Sequence, residues 1–143
     1  MTTTDAGRNF RIALVGCGRI SQNHFDAIAK VDGLELCGVC DSDESRASEA
    51  AAKWGVPHFT NYPQMLAKSD ADIIAICTPS GLHSAQGVLA ARAGKHVITE
   101  KPMSITLEQA DALVDACDSN DVRLFVVKQN RLNPSVQLLK RAV

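Results

Sequence analysis

Short apolar runs alternate with longer segments of helical spacing along nearly the whole chain. Runs over residues 10–15, 34–41, 73–77, 95–99 and 123–127 read as strands, with a brief further strand at 58–59. Segments over 19–31, 44–53, 62–68, 84–93 and 107–117 read as helices, and a last helical stretch begins near residue 134. Ile73-Ile74-Ala75-Ile76-Cys77 shows no polar alternation, the mark of a parallel strand buried on both faces. Gly55 reads as the C-cap of the second helix, and Pro57 bars its continuation. Strands and helices taking turns in this way predict a parallel sheet with right-handed crossovers and helices on both faces. The expected fold is α/β, a single doubly wound domain.

The junction after the first strand carries the first chemical signal. Gly16-Cys17-Gly18-Arg19-Ile20-Ser21 is a glycine-spaced turn between a strand and a helix. Gly16 allows the tight turn, and Gly18 lets the backbone approach a phosphate without a Cβ in the way. The helix that follows offers free N–H groups and the positive end of its dipole to an anion. The third position of the usual pattern is Ser21 here, still small enough for close helix–strand packing. Gly16, Gly18, Arg19 and Ile20 are therefore candidate contacts for a dinucleotide pyrophosphate. Asp41 ends the second strand, 20 positions past Ser21, where a carboxylate accepts hydrogen bonds from the ribose hydroxyls and repels a 2′-phosphate. That favours NAD over NADP, with Arg46 near enough to weigh on the other side. The competing role for Asp41 is to cap the helix that starts near Asp43.

Bulk composition narrows the function classes. The chain has 143 residues and a formal net charge of −1, and six of its residues are aromatic. Such a balance gives no electrostatic case for a nucleic acid or a membrane surface as partner. The opening residues are polar and lack an apolar core, so no signal peptide is expected, and no run approaches transmembrane length. An odd count of five cysteines points to a reducing, cytoplasmic setting. Cys37-Gly38-Val39-Cys40 has the C-x-x-C form, but ideal strand alternation puts its two thiols on opposite faces. They read as small buried residues, and no metal site is expected.

In a sheet of this kind, ligands bind beyond the carboxyl ends of the strands. Three polar segments fall there: 77–83, 99–102 and 128–131. Ending in the second of them, Ala93-Gly94-Lys95-His96-Val97-Ile98-Thr99-Glu100-Lys101-Pro102 resembles the A-G-K-H-V-x-x-E-K-P hallmark of the glucose-fructose oxidoreductase, inositol dehydrogenase and rhizopine catabolism (Gfo/Idh/MocA) family. Thr78-Pro79 with His83, and the glycine turn, also resemble that family, and the likeness covers the chain from about Phe10 onward.

The resemblance implies a Rossmann domain and an NAD(P)-dependent oxidoreductase acting on a sugar, cyclitol or related polyol. It makes Lys101 the catalytic lysine, touching the nicotinamide ribose and the reacting hydroxyl, with Pro102 fixing the turn through a cis bond. An ammonium there stabilises an alkoxide as hydride leaves and can relay its proton. By the same resemblance Thr78 and Pro79 wall the nicotinamide side and His83 lies near the cofactor. Glu100 contacts the cofactor or orients Lys101, against the plainer reading of a surface ion pair. His24, His58 and His96 have no ligand spacing and read as structural.

The segment 125–134 resembles a narrower group, the bacterial UDP-2-acetamido-2-deoxy-glucuronate 3-dehydrogenases of lipopolysaccharide O-antigen synthesis. That likeness sets Gln129 at the nicotinamide end, and Asn130 and Arg131 on the substrate side or a subunit contact. The plainer reading of Arg131 is a surface salt bridge. The narrower resemblance also implies a tightly held NAD(H) recycled with 2-oxoglutarate. The expected division is a polar tail over 1–9, the dinucleotide-binding domain over 10–131, and the start of a connecting helix over 132–143. Family members are roughly twice as long, so a substrate domain and a homo-oligomer interface are expected outside this sequence. The chain alone is expected to bind NAD(H) with little turnover. Two alternatives stay open: another sugar or inositol dehydrogenase of the family, and a non-catalytic NAD-binding or sensing domain.

Overall fold

The computed structural model describes residues 9–142, so the polar tail over 1–9 lies almost wholly outside the described residues. Six parallel strands form one sheet: β1 (Phe10–Val15), β2 (Leu34–Cys40), β3 (His58–Phe59), β4 (Ile73–Ile76), β5 (His96–Thr99) and β6 (Leu124–Val126). Their spatial order is β3-β2-β1-β4-β5-β6. The order reverses between β1 and β4, and a crevice opens outside the carboxyl ends there. The connecting helices are α1 (Ser21–Lys30), α2 (Glu44–Trp54), α3 (Tyr62–Lys68), α4 (His83–Arg92) and α5 (Leu107–Ser119), with α6 (Pro134–Ala142) last.

The two sheet faces carry separate cores. Phe25 and Ile28 of α1 and Ala51 of α2 pack on Ile12, Leu14, Val39 and Ala75. The opposite face joins Ala13, Val15, Ile74, Ile76 and Val97 to Met65 of α3, Ala90 and Ala91 of α4, and Leu113 and Cys117 of α5. Side chains of β1 and β4 alternate between these two cores, as the pleat requires.

β2 breaks that alternation once. Ile12 pairs with Leu36 but Ala13 pairs with Gly38, so the register skips Cys37. The extra residue flips the parity of the rest of the strand. Cys37 and Cys40 consequently belong to the same core, contrary to the expectation that they face opposite sides. Both are free thiols, and burial pushes each up to about 11. Among the described residues no cluster of three or more His, Cys, Asp or Glu is placed to hold a metal, and no helix is long and apolar enough to cross a membrane.

Helix ends follow local chemistry. Asp43 caps α2, its Oδ1 accepting from Ser45 N and Arg46 N, and Gly55 closes that helix in the left-handed region. The glycine turn delays α1, which starts at Ser21 because residues 18–20 are a turn with short-range bonds from Ser21 N to Gly18 O and Asn23 N to Ile20 O. A 3₁₀ turn at Ser80–Leu82 likewise separates Pro79 from α4.

Candidate dinucleotide site

A cleft of about 620 Å³ opens at the switch between β1 and β4. Gly16, Gly18, Arg19, Ile20, Asp41, Thr78 and Pro79 all line it. Gly16 has φ +91°, and a Cβ there would stand 2.7 Å from the backbone of Cys77 and Thr78. The first glycine thus serves a close approach of two strand ends as well as the turn itself. A Cβ on Gly18 would meet nothing within 4 Å, so the space above it is open. Ile20 occupies the N-cap of α1 without a side-chain hydrogen bond, and no acidic residue stands in the first turn. No side chain therefore caps the start of the helix beside the cleft, an arrangement suited to a pyrophosphate.

Asp41 is 7 % exposed and is fastened on three sides. Its Oδ2 accepts from Cys17 N at 2.8 Å, tying it to the glycine turn. Its Oδ1 accepts from Asp43 N at 2.9 Å and from Arg46 Nη2 at 3.1 Å. Burial alone would raise its pKa, but the Asp43 and Cys17 amides and the Arg46 guanidinium outweigh this and hold it below the ordinary carboxylate value. The group is ionised at neutral pH and keeps acceptor capacity on Oδ2 for a ribose hydroxyl. The capping role falls to Asp43. Arg46, held against Asp41, is the nearby cation that a 2′-phosphate would have to recruit.

A second, smaller cleft lies on the other flank of α1, lined by Ile20, His24, Glu100 and Gln129 among others. Ile20 lines both clefts, so the two are neighbours across the start of α1. Glu100 is buried, with Oε1 2.8 Å from His24 Nε2 and Oε2 accepting from Lys101 N at 3.3 Å. It is thus held both by the His24 ring and by the lysine's own amide. His24, read from sequence as merely structural, is its partner. Lys101 is exposed on the turn after β5, and its bond to Pro102 is cis.

Other residues stand further off. His83 lines neither cleft; it is buried, with both ring nitrogens on backbone carbonyls. Arg131 lies on the exposed 3₁₀ turn Gln129–Leu132 and lines a separate hollow with Gln137 and Lys140. Cys17, in the glycine turn, is pushed up to about 12, first by burial and then by Asp41 and Cys40, so it is no thiolate nucleophile. Sequence reading missed Thr60, Asn61, Tyr62 and Gln86, which also line the large cleft. Thr78 Oγ1 donates to Gln86 Oε1 at 2.5 Å, and Tyr62 donates to the Gln86 carbonyl at 2.8 Å. Their positions follow from how α3 and α4 pack over the sheet, which no short motif announces.

Residues 10–128 match the family model described as "Oxidoreductase family, NAD-binding Rossmann fold". The WlbA dehydrogenase of Bordetella pertussis, solved in complex with NADH and UDP-GlcNAcA, superposes with a TM-score of 0.91 at 48% identity. That alignment covers 94% of this chain and 42% of the other. The D-apiose dehydrogenase of Paraburkholderia graminis is 35% identical over 99% of this chain and 38% of its own length. The UDP-N-acetylglucosamine 3-dehydrogenase of Acidithiobacillus ferrooxidans is 31% identical over 94% of this chain and 42% of its own. The chain thus spans about two fifths of the length of these relatives. An uncapped helix start, a glycine packed against the next strand and a fixed carboxylate converge with those matches: the chain belongs to the Gfo/Idh/MocA oxidoreductase family and forms its NAD-binding Rossmann domain.

Proposed function

We propose that this chain is the cofactor-holding half of a dehydrogenase that oxidises a secondary hydroxyl of a nucleotide sugar. The substrate we infer is a UDP-N-acetyl-glucosaminuronate, oxidised at C3 in lipopolysaccharide O-antigen synthesis in the cytoplasm. The observation that carries the reading is the 48% likeness, at a TM-score of 0.91, to a dehydrogenase solved with NADH and UDP-GlcNAcA. NAD supplies the hydride acceptor when bound.

The chain's own residues divide the remaining work. Gly16 shapes the turn, Gly18, Arg19 and Ile20 present backbone N–H groups to the pyrophosphate, and Asp41 takes the adenosine ribose. Thr78 and Pro79 wall the nicotinamide side, Gln129 approaches it from β6, and Arg131 faces the substrate. Lys101 sets an ammonium against the reacting oxygen, stabilising the developing alkoxide and handling its proton. Glu100, anchored by His24, holds the Lys101 amide and so steadies the turn. In this reading residues 10–131 form the NAD domain, and the segment 132–143 leads toward a substrate domain that supplies the second catalytic group and the homo-oligomer contact.

The test uses the protein extended by that substrate domain. It is assayed with UDP-sugar uronates, free sugars and inositols while reduced nicotinamide is followed by absorbance. Reduction with the UDP-linked uronate alone is the expected result. Reduction with an inositol or a free sugar would move the protein to another branch of the family. NADH binding without turnover on any of the three classes would favour a sensing domain.

A further inference from the structure

His83 is 1 % exposed and opens α4, yet both of its ring nitrogens face acceptors. Nδ1 is 2.7 Å from the carbonyl oxygen of Pro102, and Nε2 is 2.6 Å from the carbonyl oxygen of Thr78. A carbonyl oxygen only accepts, so each nitrogen has to donate. Neutral imidazole carries one N–H and one lone pair, and the lone pair would then confront a carbonyl at hydrogen-bond distance. A ring protonated on both nitrogens satisfies both partners.

The two acceptors belong to the two segments on which the reaction centre depends. Thr78 follows β4 and lines the dinucleotide cleft. Pro102 directly follows Lys101. Pairing of β4 with β5 runs out at Ile76 and Thr99, and one further backbone bond, from Glu100 N to Ile76 O, follows it. Beyond that bond the chains diverge into loops, and the His83 ring spans the space between them.

We propose that His83 is a positioning residue of the reaction centre, a doubly donating ring whose two N–H groups clasp the Thr78 and Pro102 carbonyls and thereby set where Lys101 stands against the nicotinamide end of the cleft. The inference rests on the role given to Lys101 above. It replaces direct cofactor contact by His83 with an action through the backbone, since neither ring nitrogen is left to reach a ligand.

Two measurements test it on this chain. The first is ¹⁵N NMR of the His83 ring at neutral pH, assigned by loss of the signal in His83→Gln. Both nitrogens are expected at the protonated-imidazolium position, with two slowly exchanging ring N–H protons. A ring with one bare nitrogen overturns the clasp. The second follows ¹³C-dimethylated Lys101, assigned with Lys101→Arg, as NADH is added. In His83→Phe the NADH-induced shift of Lys101 is expected to vanish while the NADH dissociation constant moves by less than about threefold. His83→Gln, which can keep one of the two bonds, is expected to retain part of the shift. An unchanged Lys101 response in His83→Phe refutes the positioning role. If His83→Phe does not fold, the ring spectrum and the Gln variant decide. A wild-type Lys101 that ignores NADH counts against the dehydrogenase reading, and the clasp then stands or falls on the ring spectrum.

Discussion

The two halves of the sheet are finished to different degrees. On the β1–β2–β3 side, Asp41 is buried and bound to Cys17 N, Asp43 N and Arg46. The turn it fastens is itself held by bonds from Gly16 N to Cys40 O and from Cys77 N to Val15 O. On the β4–β5–β6 side, Lys101, Gln129 and Arg131 are all exposed, and Leu132, Leu138 and Leu139 present apolar surface. Gripping a dinucleotide needs fixed backbone amides and a carboxylate locked in one position. Reacting with a second molecule needs groups that still stand in the open. On the function proposed above, the first task is met by residues fixed within the domain and the second is left to exposed ones.

The sharpest way to break this contrast is at Gly16. Gly16→Val places a branched side chain where even a Cβ meets backbone, at a φ that L residues rarely adopt, and should cost about 2–4 kcal/mol of stability. Urea unfolding reads this directly; a loss below about 1 kcal/mol would mean the turn is far more pliant than its hydrogen bonds imply. Next comes Asp41→Ala, expected to weaken NADH binding about tenfold or more, because hydrogen bonds to a charged group are lost. It also frees Arg46, so NADPH should bind relatively better. Energy transfer from Trp54, the sole tryptophan, to the reduced nicotinamide is the readout. Asp43→Ala is the paired control: it removes the α2 cap at a cost of about 1 kcal/mol and should leave NADH affinity unaltered. Equal binding losses in the two variants would erase the distinction between ribose acceptor and cap.

Acid unfolding sharpens the same point. Asp41 titrates below the ordinary carboxylate value in the folded state, so its contribution is complete above a pH of about 4 and fades as pH falls through the lower folded value. Asp41→Asn should flatten that part of the stability profile. A profile unchanged in urea midpoints measured from neutral to strongly acid pH would remove Asp41 from the account. The smallest effect is expected on the open side. Lys101→Met should leave folding stability within about 0.5 kcal/mol, as befits an exposed residue. Turnover by the protein joined to its substrate domain should nevertheless disappear. A stability loss comparable to that of the cap variant would mean the reaction side is more tightly built than its exposure indicates.

What could be read from the sequence was local, and what could not was mostly distant. The bounds of β1, β3 and α3 coincide with the apolar runs and helical spacing that announce them. Asp41 was legible because the strand that carries it ends within a fixed distance of the glycine turn. The partnership of His24 with Glu100 joins residues 76 positions apart, and no spacing rule reports it. Gln86 was hidden for a similar reason, since its contacts to Thr78 and Tyr62 arise only when α3 and α4 settle on one face. The skipped residue in β2 was invisible because a strand buried on both sides offers no polar alternation whose interruption could be seen.

That skipped residue has a consequence for how the chain length itself can vary. With Cys37 present, Leu36 and Val39 share one face although they are three positions apart. Excising Cys37 alone would turn β2 into a regular strand without moving Asp41 from its place beside the glycine turn. β2 therefore carries one residue more than its pairing with β1 requires, and a strand without it would keep the Asp41 carboxylate on the same side of the sheet.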